Sequence, residues 1–205
     1  MAKRTYYIPS CNGILSLMSP EFKWFGGFAK SQGRKCVQSL HDTLHAINPV
    51  WRILDTTTRS TLELGVRLSA RNMTIKVNEH DCDLEAVYQA SKVYEGNIGP
   101  HPEMYTRPGG EVKSELKAKT IGLKIVDYNF NGITYPAEPK HDFYYNLVLR
   151  SFAEHPDLGD AVMDYDCFTD ITFNPDKGIN CQAAAIANYV YLRRSGEKHV
   201  PSSQQ

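Results

Sequence analysis

The strongest constraint on this chain is the way its apolar residues are parcelled between turn-forming positions. Helix-period stretches and short extended runs follow one another without the regular strand–helix alternation of a parallel doubly wound sheet. Thr5–Pro9 and Ile14–Met18 read as strands around the turn Cys11-Asn12-Gly13. Val37, Leu40, Leu44 and Ile47 share one face of a helix with Ser31 as a suitable N-cap, and Pro49 bars its continuation. Val50–Leu54, Leu64–Leu68 and Met73–Val77 read as strands or extended segments. Asp83 caps a helix running to Glu95, ended by Gly96 and Pro100. Glu111–Lys119 is a polar helix, and Ile121–Val126 with Gly132–Tyr135 forms a hairpin around Asn131-Gly132. Helices follow over His141–Ala153 and Gly159–Tyr165; Phe168–Lys177 is irregular, and a last helix runs from Asn180 to Arg194. The expectation is a helix-rich α+β single domain, with short strands and a β-hairpin, over 1–195, then a polar tail over 196–205.

Several function classes are excluded by pattern. The start Met-Ala-Lys-Arg-Thr-Tyr-Tyr has no apolar h-region, and no apolar run reaches membrane-spanning length. The 5 cysteines are an odd set without a C-x-x-C pair, which fits free thiols in a reducing compartment, the cytoplasm. Neither G-x-x-x-x-G-K-[ST] nor G-x-G-x-x-G occurs, which argues against kinase and dehydrogenase readings. His41 and His45 stand at i, i+4 but lack the intervening Glu of the zinc protease motif, and no metal is expected. Net charge is 0, unevenly spread. Lys3, Arg4, Lys23, Lys30, Arg34, Lys35 and Arg52 against Glu21 and Asp42 give +5 over Met1–Arg52 and leave −5 for the rest. Such a basic N-terminal third suits a polyanion, although a solvated basic helix face is the commoner source of this pattern.

Three groups of residues can carry chemistry. Glu85, Gln89 and Lys92 stand at i, i+4 and i+7 of the expected helix, within about 60° of one another on its surface. A carboxylate in the first turn beside an apolar face can be partly desolvated and tuned for proton transfer; taken alone, the same spacing more often marks a surface salt-bridge stripe. Asp166 and Asp170 lead into Phe173-Asn174-Pro175 and then Asn180 at a helix start, where acidic side chains can bind ribose hydroxyls and backbone amides can receive phosphate. An Asx-turn with a helix cap is the simpler source of such a run. Lys30 and Lys35 follow the aromatic glycine loop Phe22-Lys23-Trp24-Phe25-Gly26-Gly27-Phe28, where neighbouring cations and rings can lower an amine pKa and make it nucleophilic.

Five motifs in order resemble the NADAR family, most closely its branch encoded beside DarT-type DNA ADP-ribosyltransferase toxins. They are Phe22-Lys23-Trp24-Phe25-Gly26-Gly27-Phe28-Ala29-Lys30-Ser31-Gln32, Ser39-Leu40-His41, Leu64-Gly65-Val66-Arg67-Leu68-Ser69-Ala70, Glu85-Ala86-Val87-Tyr88-Gln89-Ala90-Ser91-Lys92, and Asp166 to Asp170 continuing through Phe173-Asn174-Pro175 to Asn180-Cys181-Gln182. The resemblance runs from Tyr7 to Arg194. It implies an ADP-ribose N-glycosidase that removes ADP-ribose from guanine in DNA, needs no cofactor and opposes a DarT-type toxin. The family glutamate falls on Glu85, its acidic residue before the last helix on Asp170, and its asparagine on Asn180. A catalytic lysine falls in the stretch holding Lys30 and Lys35. Trp24, Phe25, Ser69, Gln89, Lys92, Phe173 and Asn174 are implied ligand contacts. Tyr135 is the nearest match to the family's aromatic platform, and Arg71 stands where relatives favour an apolar aromatic, a departure expected either to alter the pocket wall or to reach a phosphate. The family also implies a rival enzyme reading, a glycosidase of ribosylamino intermediates of riboflavin synthesis; a rival of a different class is a non-catalytic ADP-ribose binder or toxin-sequestering protein.

Overall fold

The computed structural model describes residues 1–139, 141–174 and 181–197. The chain forms two compact units: Met1–Ser69 together with the segment from Pro156, and Ala70–His155.

The first unit is built on a four-stranded sheet in the order β2 (Gly13–Met18), β1 (Thr5–Ser10), β9 (Cys167–Thr169), β3 (Ile53–Asp55). Strands β1 (Thr5–Ser10) and β2 (Gly13–Met18) pair antiparallel across the expected turn, where Gly13 takes φ +119. β3 (Ile53–Asp55) runs parallel to β9 (Cys167–Thr169), with Leu54 opposite Phe168. β9 also pairs antiparallel with β1, Tyr6 opposite Thr169. The stretch expected to be irregular therefore begins as a central strand. Cys167, Phe168 and Thr169 are all buried, and a fully buried strand of this length carries no alternation to betray it.

Helix α1 (Lys30–His45) closes one core, burying Cys36, Val37, Leu40 and Leu44 with Tyr6, Phe22, Ile53, Cys167 and Ile171. Its N-cap is Ala29 rather than Ser31, and Gln32 and Gly33 donate to the Ala29 carbonyl. The expected extended segment at Leu64–Leu68 is instead a short helix, α2 (Glu63–Arg67). Gly65 explains the difference: it lies against the Asp55 carbonyl and the Ser60 side chain, an approach that any Cβ would block. The expected helix at Gly159–Tyr165 is divided into α6 (Pro156–Ala161) and a 3-10 turn over Val162–Asp164. Helix α7 (Gln182–Ser195) lies against β1, β2 and β9, its buried Ala183, Ala185 and Ala187 permitting close approach.

The second unit opens with a hairpin of β4 (Thr74–Val77) and β5 (His80–Asp83), turned by Asn78 and Glu79 at φ 48 and 67. Helix α3 (Leu84–Ala90) follows directly. It stops short of the expected end at Glu95 because Lys92–Tyr94 forms β6, paired antiparallel with β7 (Ile125–Phe130). Tertiary backbone bonds take the carbonyls at that end: His101 N donates to Ala90 O at 2.7 Å and Asn129 N to Ser91 O at 2.7 Å. β7 continues into β8 (Ile133–Pro136) through Asn131-Gly132 at φ 52 and 79, the two-residue turn expected there. Its first strand starts at Ile125 rather than Ile121, since Gly122 at φ 81 turns the chain beforehand. Helices α4 (Gly109–Lys119) and α5 (Asp142–Glu154) complete the unit around stacked Tyr88, Tyr128 and Phe143. The result is the helix-rich α+β class expected, with short strands and a hairpin. Among the described residues, no helix is long and apolar enough to cross a membrane.

Candidate active site

The described candidates fall into two sets, one in each unit. In the second unit, β5 delivers the chain straight into α3, so Glu85 occupies the first turn. The Leu84 and Glu85 amides donate to Met73 O at 3.0 Å and Ala70 O at 3.3 Å. Asp83 stands at the N-cap position but does not cap α3; its Oδ2 accepts from Gly109 N at 3.0 Å, tying α3 to the start of α4. Gly109 makes that junction possible, since a Cβ there would stand 2.8 Å from Glu85 Cβ and 2.9 Å from Ala86 N.

Within this frame the structure brings Glu85, Gln89 and Lys92 into one hydrogen-bonded row, although Lys92 lies on β6 and not on the helix. Lys92 Nζ donates to Gln89 Oε1 at 2.6 Å, and Gln89 Nε2 donates to Glu85 Oε1 at 2.9 Å. Lys113 Nζ on α4 reaches the same Glu85 oxygen at 2.9 Å. The Glu85 side chain is 14% exposed while that of Lys113 is 59% exposed, so the carboxylate is largely buried and its counter-ion faces water. Lys92 sits over the Tyr88 ring at 4.6 Å. Burial brings its pKa down to about 8, against the opposing pull of Glu85 and with the help of Lys113. A fraction of Lys92 is thus a neutral amine near physiological pH. The row combines a carboxylate acceptor, an amide of fixed orientation and an amine that titrates in a useful range. The Arg71 guanidinium approaches α4 at Gly110, 3.9 Å from where a Cβ there would stand. Tyr135 packs on Phe143 at 5.0 Å between ring centroids, as part of the aromatic layer that includes Tyr88.

In the first unit, Trp24 lies under the Arg4 guanidinium at 4.8 Å, and Phe25 has Lys23 and Lys35 at 5.0 and 5.9 Å from its ring. Phe25 is fixed through its backbone: its N donates to Cys36 Sγ at 3.2 Å and its O accepts from that thiol at 3.4 Å. Lys30 and Lys35 are both exposed on the first turns of α1. Ser69 is buried and donates to Val66 O at 2.8 Å. Asp170 is buried, and its Oδ1 accepts from Thr172 N (3.0 Å), Thr172 Oγ1 (2.7 Å) and Phe173 N (2.9 Å). That is an Asx-turn, and it orders Phe173 at the start of the segment holding Asn174. Burial raises the Asp170 carboxyl pKa and these bonds oppose the shift. Asn180 lies outside the described residues.

The same unit holds a buried polar chain that sequence reasoning missed. Asp55, at the end of β3, accepts at Oδ1 from Thr57 Oγ1 (2.5 Å) and Thr57 N (3.2 Å). Its Oδ2 accepts from Thr169 Oγ1 (3.1 Å) and Ile171 N (2.9 Å). Because the Thr169 hydroxyl donates to Asp55, it accepts from His41 Nε2 at 3.1 Å, which assigns the Nε2–H tautomer. Burial, with Asp170 nearby, lifts the Asp55 pKa to about 7; burial lowers that of His41 to about 4. Nothing in local spacing joins Asp55 to Thr169, since the link is the β3–β9 pairing. The Lys113 contact was equally invisible, because it depends on where α4 docks on α3.

A family model described as the DarT1-associated NADAR antitoxin matches residues 2–203. The chain belongs to the DarT1-associated NADAR antitoxin family. That match spans both units and all the sequence motifs, and the family description associates its members with a DarT1-type toxin. No match is found among curated proteins. In this NADAR antitoxin-family chain, the Glu85 row brings a mostly buried carboxylate, an amide and an amine into one hydrogen-bonded row.

Proposed function

We propose that the chain is an ADP-ribose N-glycosidase that removes ADP-ribose from guanine in DNA and thereby reverses the action of a DarT1-type toxin. The observation that carries this reading is the Glu85 carboxylate, mostly buried, held by Gln89 and Lys113 beside the low-pKa amine of Lys92. Cleaving the C–N bond builds positive charge at the anomeric carbon, which a carboxylate stabilises, and guanine departs more readily once its nitrogen is protonated. In the covalent route a lysine amine attacks the anomeric carbon. The C–N bond to guanine breaks with its electron pair leaving on the guanine nitrogen, which takes a proton. The ribose ring then opens to a Schiff base, and water adds to it, expels the amine and frees ADP-ribose. Glu85 manages the protons.

The attacking amine is Lys30 or Lys35 by resemblance to the family. Lys92 is a third candidate, favoured by its lowered pKa. Asp170 serves through its turn, which fixes the Thr172 and Phe173 amides; Phe173, Asn174 and Asn180 are proposed ligand contacts by resemblance to the family. Trp24, Phe25, Ser69, Arg71 and Tyr135 complete the proposed contacts.

The test is incubation with guanine-ADP-ribosylated DNA, free ADP-ribose being the readout. Release is expected from the wild type and lost in Glu85→Ala. No release over an extended assay refutes the reading, and retention of the label by a stable complex identifies a binder instead. Borohydride during turnover should trap an adduct whose peptide map names Lys30, Lys35 or Lys92. Active enzyme that traps nothing points to direct attack by water.

A further inference from the structure

We propose that the loop 22–29 and the first turns of α1 form a docking surface for a single DNA strand flanking the modified base, with Phe28 as a stacking platform. This rests on the glycosidase reading above. Phe28 is fully exposed, at 101% of its reference area, and Trp24 nearby is 36% exposed. Soluble surfaces carry single exposed apolar residues routinely, but here the ring is presented by a loop whose Gly27 sits at φ +113, and cations stand close to it in sequence and against its aromatic neighbours Trp24 and Phe25 in space. Arg4 lies over Trp24, Lys23 and Lys35 flank Phe25, and Lys30 and Arg34 are exposed on the same turns. Against these six cations, counting Lys3, the sequence up to Lys35 carries Glu21 alone.

Aromatic faces interleaved with cations are the combination by which proteins hold unpaired strands: the rings stack on bases and the cations follow the phosphates. A duplex hides its base faces inside the stack, so a fully exposed ring suits a single strand. The charge balance decides the occupant, since an acidic backbone complements this surface and a neutral apolar partner leaves the cations unused.

Fluorescence anisotropy with an unmodified labelled oligonucleotide, single-stranded or annealed, tests the surface directly. Kinetics on guanine-ADP-ribosylated oligonucleotide and on the modified mononucleotide test its use. Wild type should prefer the single strand. Phe28→Ala, at a fully exposed position, should weaken that binding by about 5- to 100-fold. Arg34→Ala should weaken it and shrink the salt slope by about 0.7. Both variants should lose kcat/KM on the oligonucleotide and keep it on the mononucleotide. Phe28→Ala binding single strands like wild type, or a wild-type preference for duplex, overturns the proposal. So does a Phe28→Ala variant that loses affinity for a DarT1-type toxin while keeping DNA affinity. If wild type releases ADP-ribose from neither substrate, the glycosidase reading fails, and the anisotropy arm still decides whether the surface binds a strand.

Discussion

Two adjacent glycines at the start of α4 should respond oppositely to the same substitution. In Gly109→Ala the new methyl would stand 2.8 Å from Glu85 Cβ and 2.9 Å from the Ala86 amide nitrogen, so backbone must move. Overpacking of this kind costs about 1–3 kcal/mol. In Gly110→Ala the methyl meets only an Arg71 Nη2 at 3.9 Å, ordinary contact, and alanine gains up to about 1 kcal/mol in helix preference. Both variants restrict the unfolded chain equally, so their difference reports the folded state. At roughly 2–4 °C per kcal/mol for a chain of this length, Gly109→Ala should melt about 2–12 °C below wild type. Gly110→Ala should melt at or up to about 4 °C above it. Thermal scans by far-ultraviolet circular dichroism give both numbers. Gly109→Ala should also release less ADP-ribose, because shifting α4 carries Lys113 away from Glu85 although no polar side chain has changed. Equal melting shifts in the two variants, or a stabilised Gly109→Ala, would refute the argument that α4 seats α3 through this contact.

Glu85→Gln keeps the shape and the bond from Gln89 but removes the charge, so ADP-ribose release should fall by about 10²–10⁴-fold with little change in melting temperature. A pH–rate profile should show an inflection near 8 from Lys92 that disappears in Lys92→Gln; a profile unchanged by the substitution removes Lys92 from the chemistry. Asp55 and His41 pull stability in opposite directions with pH. The raised Asp55 pKa gives a contribution present below its unfolded value near 3.8 and lost as pH rises toward about 7. The lowered His41 pKa gives one gained as pH rises from about 4 to its unfolded value near 6.5. Asp55→Asn should therefore show stability climbing more steeply with pH between 4 and 7 than wild type, as read from urea midpoints; parallel curves would refute the assignment.

Much of the frame was legible where local chemistry decides it. Asn12-Gly13 and Asn131-Gly132 turn the two hairpins, and Val37, Leu40 and Leu44 recur at helical spacing because one face of α1 meets the core. Elements decided by distant partners were not legible. Lys92-Val93-Tyr94 continues a helical pattern on paper, yet the Ala90 and Ser91 carbonyls are claimed by His101 and Asn129, and the chain becomes a strand. Leu64–Leu68 has the apolar alternation of a strand but coils because Gly65 can touch Asp55. In the candidate site, the Glu85–Gln89 pair followed from i, i+4 geometry. Lys113 and Asp55 could not follow from spacing, since each reaches its partner through tertiary docking.

The position of β9 between β1 and β3 has a consequence for how the chain is made. Strands β1 and β3 emerge from the ribosome early, and the strand that joins them arrives more than a hundred residues later, after all of Ala70–His155. The later-encoded unit is contiguous and can fold during synthesis, while the earlier one must wait with two open strand edges for its centre. Closing a loop of that size is slow compared with local folding, and open edges invite wrong partners. Newly made chains should thus be most vulnerable to aggregation and proteolysis in their N-terminal third, in the interval before Cys167–Thr169 slots into place.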